Sequence, residues 1–158
     1  MTSGGILASS GARRAPGGPG APLPWLLRRA NQRYRSAIKN RLAECGFGEL
    51  PQPGYWALMI LASGGADASR LIAEMGVSKQ AISKLVDVLV TEGFVDRKPN
   101  GADRRRTDLL LSAKGRRAAD VIGEAVRATE DTFVQELGPE RLAGLVETLA
   151  QLTQPHQG

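Results

Sequence analysis

The side chains in this sequence best equipped for chemistry are Ser78, Lys79, Gln80, Ser83 and Lys84, and a later run Asp103-Arg104-Arg105-Arg106. Their chemistry is hydrogen bonding and charge rather than bond breaking. A glutamine can bond an adenine through two atoms, a lysine reaches guanine or a phosphate, and a serine is a short, adaptable partner. Three consecutive arginines repel one another in isolation, and the negative potential of a narrow minor groove would relieve that repulsion. Each feature also has a plainer reading. A polar stripe on a helix is most often a solvated face, and an aspartate such as Asp103 commonly caps a turn. The order of the elements that carry these residues decides between the readings.

From Ala66 to Gly115 the chain gives two short helical patterns, a strand, a basic loop and a second strand. Leu71, Ile72 and Met75 recur at spacings of three and four and stop at Gly76, the residue type that most readily ends a helix. Ser78 then offers its hydroxyl as the cap of the next helix. In that helix Ile82, Leu85 and Leu89 form an apolar stripe opposite Lys79, Gln80, Ser83, Lys84 and Asp87. One face packs and the other is free to read, as a helix entering a major groove requires. After Gly93, the residues from Phe94 to Lys98 predict a strand, Pro99-Asn100-Gly101 a turn, and Thr107 to Leu111 the returning strand. This order predicts a winged helix-turn-helix over residues 53–112.

The stretch closely resembles the MarR family of bacterial transcriptional regulators. The resemblance lies in Gly76-Val77-Ser78-Lys79-Gln80 and in the wing pattern Asp-x-Arg-x-x-x-Leu-x-Leu-Ser/Thr, here Asp103, Arg105, Leu109, Leu111 and Ser112. Lys114-Gly115 fits the start of the family's long dimerisation helix, and the resemblance runs from Leu23 to the C-terminus. It implies that Arg105 enters the minor groove while Asp103 steadies the loop through a salt bridge. Arg104 and Arg106 are assigned to phosphates. Ile72 departs from the pattern, which has a small residue where the first helix meets the second, and this implies a slightly wider crossing.

The chain's 158 residues, 42% of them hydrophobic, suit one domain with a tail. An excess of 21 basic over 16 acidic residues gives a net charge of +5, which favours an anionic partner without identifying it. No apolar run approaches the roughly 20 residues that cross a bilayer, and the N-terminus lacks a signal peptide's apolar core. A cytoplasmic protein without membrane partners is expected. Residues 1–22 are rich in Gly, Ala, Ser and Pro, with Arg13-Arg14 their only charged pair, and are expected to be a disordered tail rather than a DNA-touching arm. The single cysteine, Cys45, and single histidine, His156, lie far apart, which excludes an intrachain disulfide and a cysteine zinc site. With no serine elbow or phosphate-cradling glycine loop either, no enzyme, metal or cofactor is expected. Some MarR-family members sense peroxide through a cysteine near the N-terminal helix; Cys45 reads more simply as a packing residue at a helix end.

Around the reading unit, Leu26, Leu27, Ala30, Tyr34, Ala37, Ile38 and Leu42 predict a long amphipathic helix from Leu23 to Cys45. Pro53 to Ala62 predicts a short apolar helix. Ser112 to Leu137 predicts a helix of roughly 39 Å, too long for one small core to cover, so that a second chain would cover the remainder. Gly138-Pro139 breaks it, and Leu142, Leu145, Val146, Leu149 and Leu152 form a further stripe. Residues 23–46 and 112–154 are therefore expected to be dimerisation helices, as in the family, giving two heads for a pseudo-palindromic site. Family members also bind small aromatic or phenolic acids where such helices meet the reading lobe. The resemblance makes Tyr34, Tyr55, Trp56 and Met59 candidates for such a pocket, with Arg33 pairing a carboxylate, although core packing explains each aromatic equally.

The expected fold is mainly α with a small β-hairpin wing, a winged helix-turn-helix lobe joined to a helical dimerisation region within residues 23–154. The expected function is that of a homodimeric, sequence-specific regulator of transcription that binds double-stranded DNA, acts as a repressor and is released by a small aromatic ligand. Two other readings stay open: a protein-interaction module whose basic loop binds an acidic protein, and an architectural DNA binder without an operator.

Overall fold

The computed structural model describes residues 20–101 and 107–153. In chain order they form α1 (Leu23–Glu44), α2 (Gln52–Ala62), α3 (Ala68–Met75), α4 (Lys79–Thr91), β1 (Val95–Pro99), β2 (Thr107–Leu111), α5 (Ala113–Leu137) and α6 (Pro139–Thr153). The fold is thus mainly helical with a two-stranded antiparallel wing. Most of the tail expected over residues 1–22 lies outside the described residues, as does His156. Packing divides the chain at Gln32. Before that point the opening of α1 exposes Leu23, Leu26 and Leu27, and the Arg28 guanidinium lies 4.8 Å from the centre of the Trp25 ring.

From Arg33 onward one hydrophobic core runs through the remaining elements. The rest of α1 contributes Ile38 and Leu42, both fully buried. Helix α2 begins at Gln52, one residue ahead of the expected Pro53, with that proline in the first turn, where its missing N–H has no helical partner to lose. It buries Tyr55, Ala57, Leu58 and Leu61 and packs against α5, α3, α4 and β2. The wing strands pair from Val95 with Leu111 to Pro99 with Thr107, so the first strand runs one residue into the segment expected to turn. Ala66 adds a short third rung, its N–H donating to the Leu109 carbonyl at 3.3 Å and its carbonyl accepting from Leu109 at 2.8 Å.

Helix α5 buries Ala118, Ala119, Ile122, Ala125, Thr129 and Phe133 along one side, and Tyr34 meets Phe133 edge-on with ring centres 5.4 Å apart. Its inward face is therefore covered within the chain almost to its end. The rest of the helix surface is largely exposed, including Leu137 at its end. Further uncovered apolar surface lies on α6, where Leu145, Val146 and Leu152 are exposed. At its start α5 passes so close to the strand entry that a Cβ on Gly115 would sit 1.9 Å from the Phe94 carbonyl oxygen. Only glycine fits there.

Candidate nucleic-acid interface

The reading unit is assembled from local caps. Asp67 accepts from the Arg70 N–H at 3.0 Å and starts α3, whose Leu71 is fully buried. Gly76 ends α3 in the left-handed region, with φ of 64°, a conformation a side chain would oppose. Two residues later the Ser78 hydroxyl accepts from the Ala81 N–H at 3.2 Å and starts α4. Cap, stop and turn fall where the sequence puts them because each depends on neighbours within four residues.

Helix α4 turns Ile82, Val86 and Leu89 into the core, with Leu85 and Val90 partly buried. Val86 completes the stripe that the sequence reading drew through Ile82, Leu85 and Leu89. On the other side Ser78, Lys79, Gln80, Ser83, Lys84 and Asp87 are all exposed. The five residues singled out for base and phosphate contact are thus brought together on one solvent-facing surface. Asp103, Arg104, Arg105 and Arg106 lie outside the described residues. Beside them, the Asn100 side-chain amide donates to both Asp108 carboxylate oxygens, at 2.9 and 3.1 Å, and joins the two strands near the wing's tip.

Two ties the sequence did not disclose hold this surface in place. Arg97 on β1 donates to the Asp87 carboxylate of α4 at 2.6 Å. Behind α4, the Lys114 ammonium donates to the Glu92 carbonyl at 2.9 Å, pairs with Glu49 at 2.6 Å and lies 4.3 Å from the centre of the Phe94 ring. The Lys114 hydrogen bond holds the Glu49 carboxyl below its ordinary range. Ser112 closes the same corner, donating to the Gly93 carbonyl at 2.6 Å while accepting from the Gly115 N–H at 2.9 Å. Apart from the Ser112 cap on Gly115, the residues that meet here are 10 to 65 positions apart, so no local pattern could have announced the ties.

The five effector-pocket candidates do not share one cavity. Arg33 makes two 2.7 Å hydrogen bonds to Glu136 and lies 4.4 Å from the centre of the Phe133 ring, beside Tyr34. The carboxylate expected from a ligand is supplied there by the chain itself. That hydrogen bond holds the Glu136 carboxyl below its ordinary range, and burial pushes the Tyr34 hydroxyl up. Tyr55 lies in the core, where burial likewise pushes its hydroxyl up. Trp56 and Met59 line a separate cleft of about 500 Å³ with Ile60, Arg70, Glu74 and Met75. Cys45 is exposed just beyond the end of α1.

Residues 50–106, which hold α2, α3, α4 and β1, match the MarR family. This segment of the chain is a MarR-family winged helix-turn-helix. That family is one of regulators rather than enzymes. Among curated relatives is the HTH-type transcriptional regulator PetP of Rhodobacter capsulatus, 28% identical over 91 residues. The match covers 58% of this chain and 55% of PetP, so the chain spans about half that relative's length. Among solved structures, apo MarR from E. coli superposes with a TM-score of 0.64 at 19% identity, covering 87% of this chain and all of that one. The transcriptional repressor CouR, solved on a 23-mer DNA duplex, gives 0.69 at 23% identity over 84% of this chain and 93% of its own. At these identities the structural likeness shows the fold. Among the described residues no helix is long and apolar enough to cross a membrane.

Proposed function

We propose that this chain binds double-stranded DNA sequence-specifically as a homodimer and represses transcription by occluding a promoter. The observation that carries the proposal is α4 itself, capped at Ser78, anchored through Ile82, Val86 and Leu89, and presenting Lys79, Gln80, Ser83 and Lys84 together to solvent. Such a helix lays its N-terminal residues on base edges in the major groove. Arg105, steadied by Asp103, would enter the flanking minor groove, with Arg104 and Arg106 on phosphates. The solved complex of CouR with a DNA duplex supports the same use of the shared fold. The exposed apolar residues of α6 favour a second copy of the chain, so that two heads address an inverted repeat.

Release by a small aromatic or phenolic effector is the finer part of the proposal. Its support is the cleft at Trp56 and Met59, whose volume of about 500 Å³ suits one small molecule. Quenching of Trp56 fluorescence by such a ligand, together with release of bound DNA, is the expected result. Quenching without release would leave the cleft a binding site with no regulatory part.

Selection of bound duplexes from a random pool at near-physiological salt tests the DNA reading, because screening suppresses weak surface attraction. An enriched inverted repeat is expected. Gln80→Ala should then relax the sequence preference, while Arg105→Ala weakens all duplexes alike and lowers the salt dependence. Equal effects of the two substitutions would sink that division of roles. Retention without enrichment would point to an architectural binder, and no retention to a protein-interaction module.

A further inference from the structure

Asp87 is the one acidic residue within α4. It follows Gln80 by seven residues, close to two turns, so it lies on the same side of the helix and about 10 Å further along it. A bare carboxylate there would face the anionic surface that Gln80 and Lys84 are placed to reach, and would repel it. It is not bare. The Arg97 guanidinium of β1 donates to it at 2.6 Å, with 45% and 60% of the two side chains still exposed to solvent. An ion pair so open contributes little to folding, which leaves the bound state as the place where it matters. Arg97 also sits on the rung paired with Leu109, the residue that Ala66 pins from the other side.

We infer that Arg97 and Asp87 form a positioning pair, which locks the first wing strand to the reading helix and masks the helix's acidic charge, so that wing and helix meet DNA as one unit. The inference rests on the assignment of α4 as the DNA-contacting helix. It makes Arg97 valuable through its partner, and that distinguishes it from an arginine that merely touches a phosphate.

The test uses the full chain and fluorescence anisotropy on the selected duplex and on a random-sequence duplex across a salt series. The variants are Arg97→Ala, Asp87→Ala, the double substitution and, as a control, Gln80→Ala. Arg97→Ala should weaken binding to the selected duplex by about tenfold, because it unmasks Asp87, and adding Asp87→Ala should recover most of that loss. A loss from Arg97→Ala that is the same with Asp or Ala at position 87, with a salt slope lower by about one, would make Arg97 a plain phosphate contact and overturn the inference. Losses that track the thermal unfolding temperatures of the variants would reduce the pair to a brace of the fold and overturn it as well. If Gln80→Ala leaves sequence preference unchanged, it is the assignment of α4 that fails. If Gln80→Ala relaxes preference while the 87 and 97 substitutions add independently, the pairing alone fails.

Discussion

Helix α4 and helix α6 are both amphipathic, yet α4 buries Ile82, Val86 and Leu89 while α6 leaves Leu145, Val146 and Leu152 exposed by 48%, 59% and 66%. Among the described residues α6 has no buried member at all, its Leu142 and Leu149 being only half-covered. The difference separates two kinds of unfinished surface. On α4 the chain has buried most of its apolar side, Val88 excepted, and the face opposite is polar, with two lysines against one aspartate, suited to a hydrated anionic partner. On α6 the outward surface is apolar, and a cluster of that kind is stabilised by another protein surface. Under the proposed function, one region would be completed by nucleic acid and the other by a second copy of the chain.

The strongest way to break this contrast is to make α6 resemble α4 outwardly. Leu145→Asp with Leu152→Asp should weaken self-association on the order of 10⁴-fold, taking about 1.5 kcal/mol for each leucine buried in the pair. Sedimentation velocity checks this, with a folded monomer as the expected product. A variant that stays dimeric would move the interface elsewhere. Next in size is Gly115→Ala. In most helices that change stabilises, but here the new Cβ meets the Phe94 carbonyl oxygen at 1.9 Å, where α5 passes the reading lobe. A net loss of about 2 kcal/mol is expected, seen as a fall in Tm of roughly 4–8 °C by calorimetry. An unchanged Tm would mean that α5 and the wing entry are less tightly joined than their contact implies.

The smallest effect concerns the tie between Glu49 and Lys114. The Lys114 hydrogen bond lowers the folded-state pKa of Glu49. The tie therefore stabilises the fold above the ordinary glutamate value of about 4.3 and is lost as pH falls through the lower folded-state value. Because both side chains are a third or more exposed, at 38% and 33%, the contribution is small. Glu49→Gln should lower Tm by about 1–2 °C at neutral pH, and the difference from the parent should shrink as pH falls through the lowered folded-state value. A difference that persists in acid would assign the effect to packing rather than charge.

How far each region was legible follows from the range of the forces that build it. Gly76 and Ser78 act on backbone groups within four residues, so the stop and restart of the helix-turn-helix could be read directly, while the Asp67 cap that starts α3 was seen only in the structure. The wing strands followed from β-forming residues flanking turn chemistry, and the pairing of Pro99 with Thr107 moved only an edge. The pocket candidates were harder to place. Tyr34, Tyr55, Trp56 and Met59 have the same apolar character in the sequence, and only packing sends Tyr55 to the core and Trp56 to a surface cleft. Arg33 was open to any carboxylate until Glu136, 103 residues away, supplied one.

The sequence by itself determined the helices, the Ser78 cap, the outward display of Lys79, Gln80, Ser83 and Lys84, the hairpin that follows, and the resemblance to the MarR family. These depend on periodicity and on hydrogen bonds between near neighbours. The tertiary structure decided which charges meet, joining Arg97 to Asp87, Lys114 to Glu49 and Arg33 to Glu136. It also decided that the inward face of α5 would be covered within the chain and that of α6 would not. The reason is physical: an ion pair or a buried face is a property of two surfaces, and only the folded chain brings the second one into place.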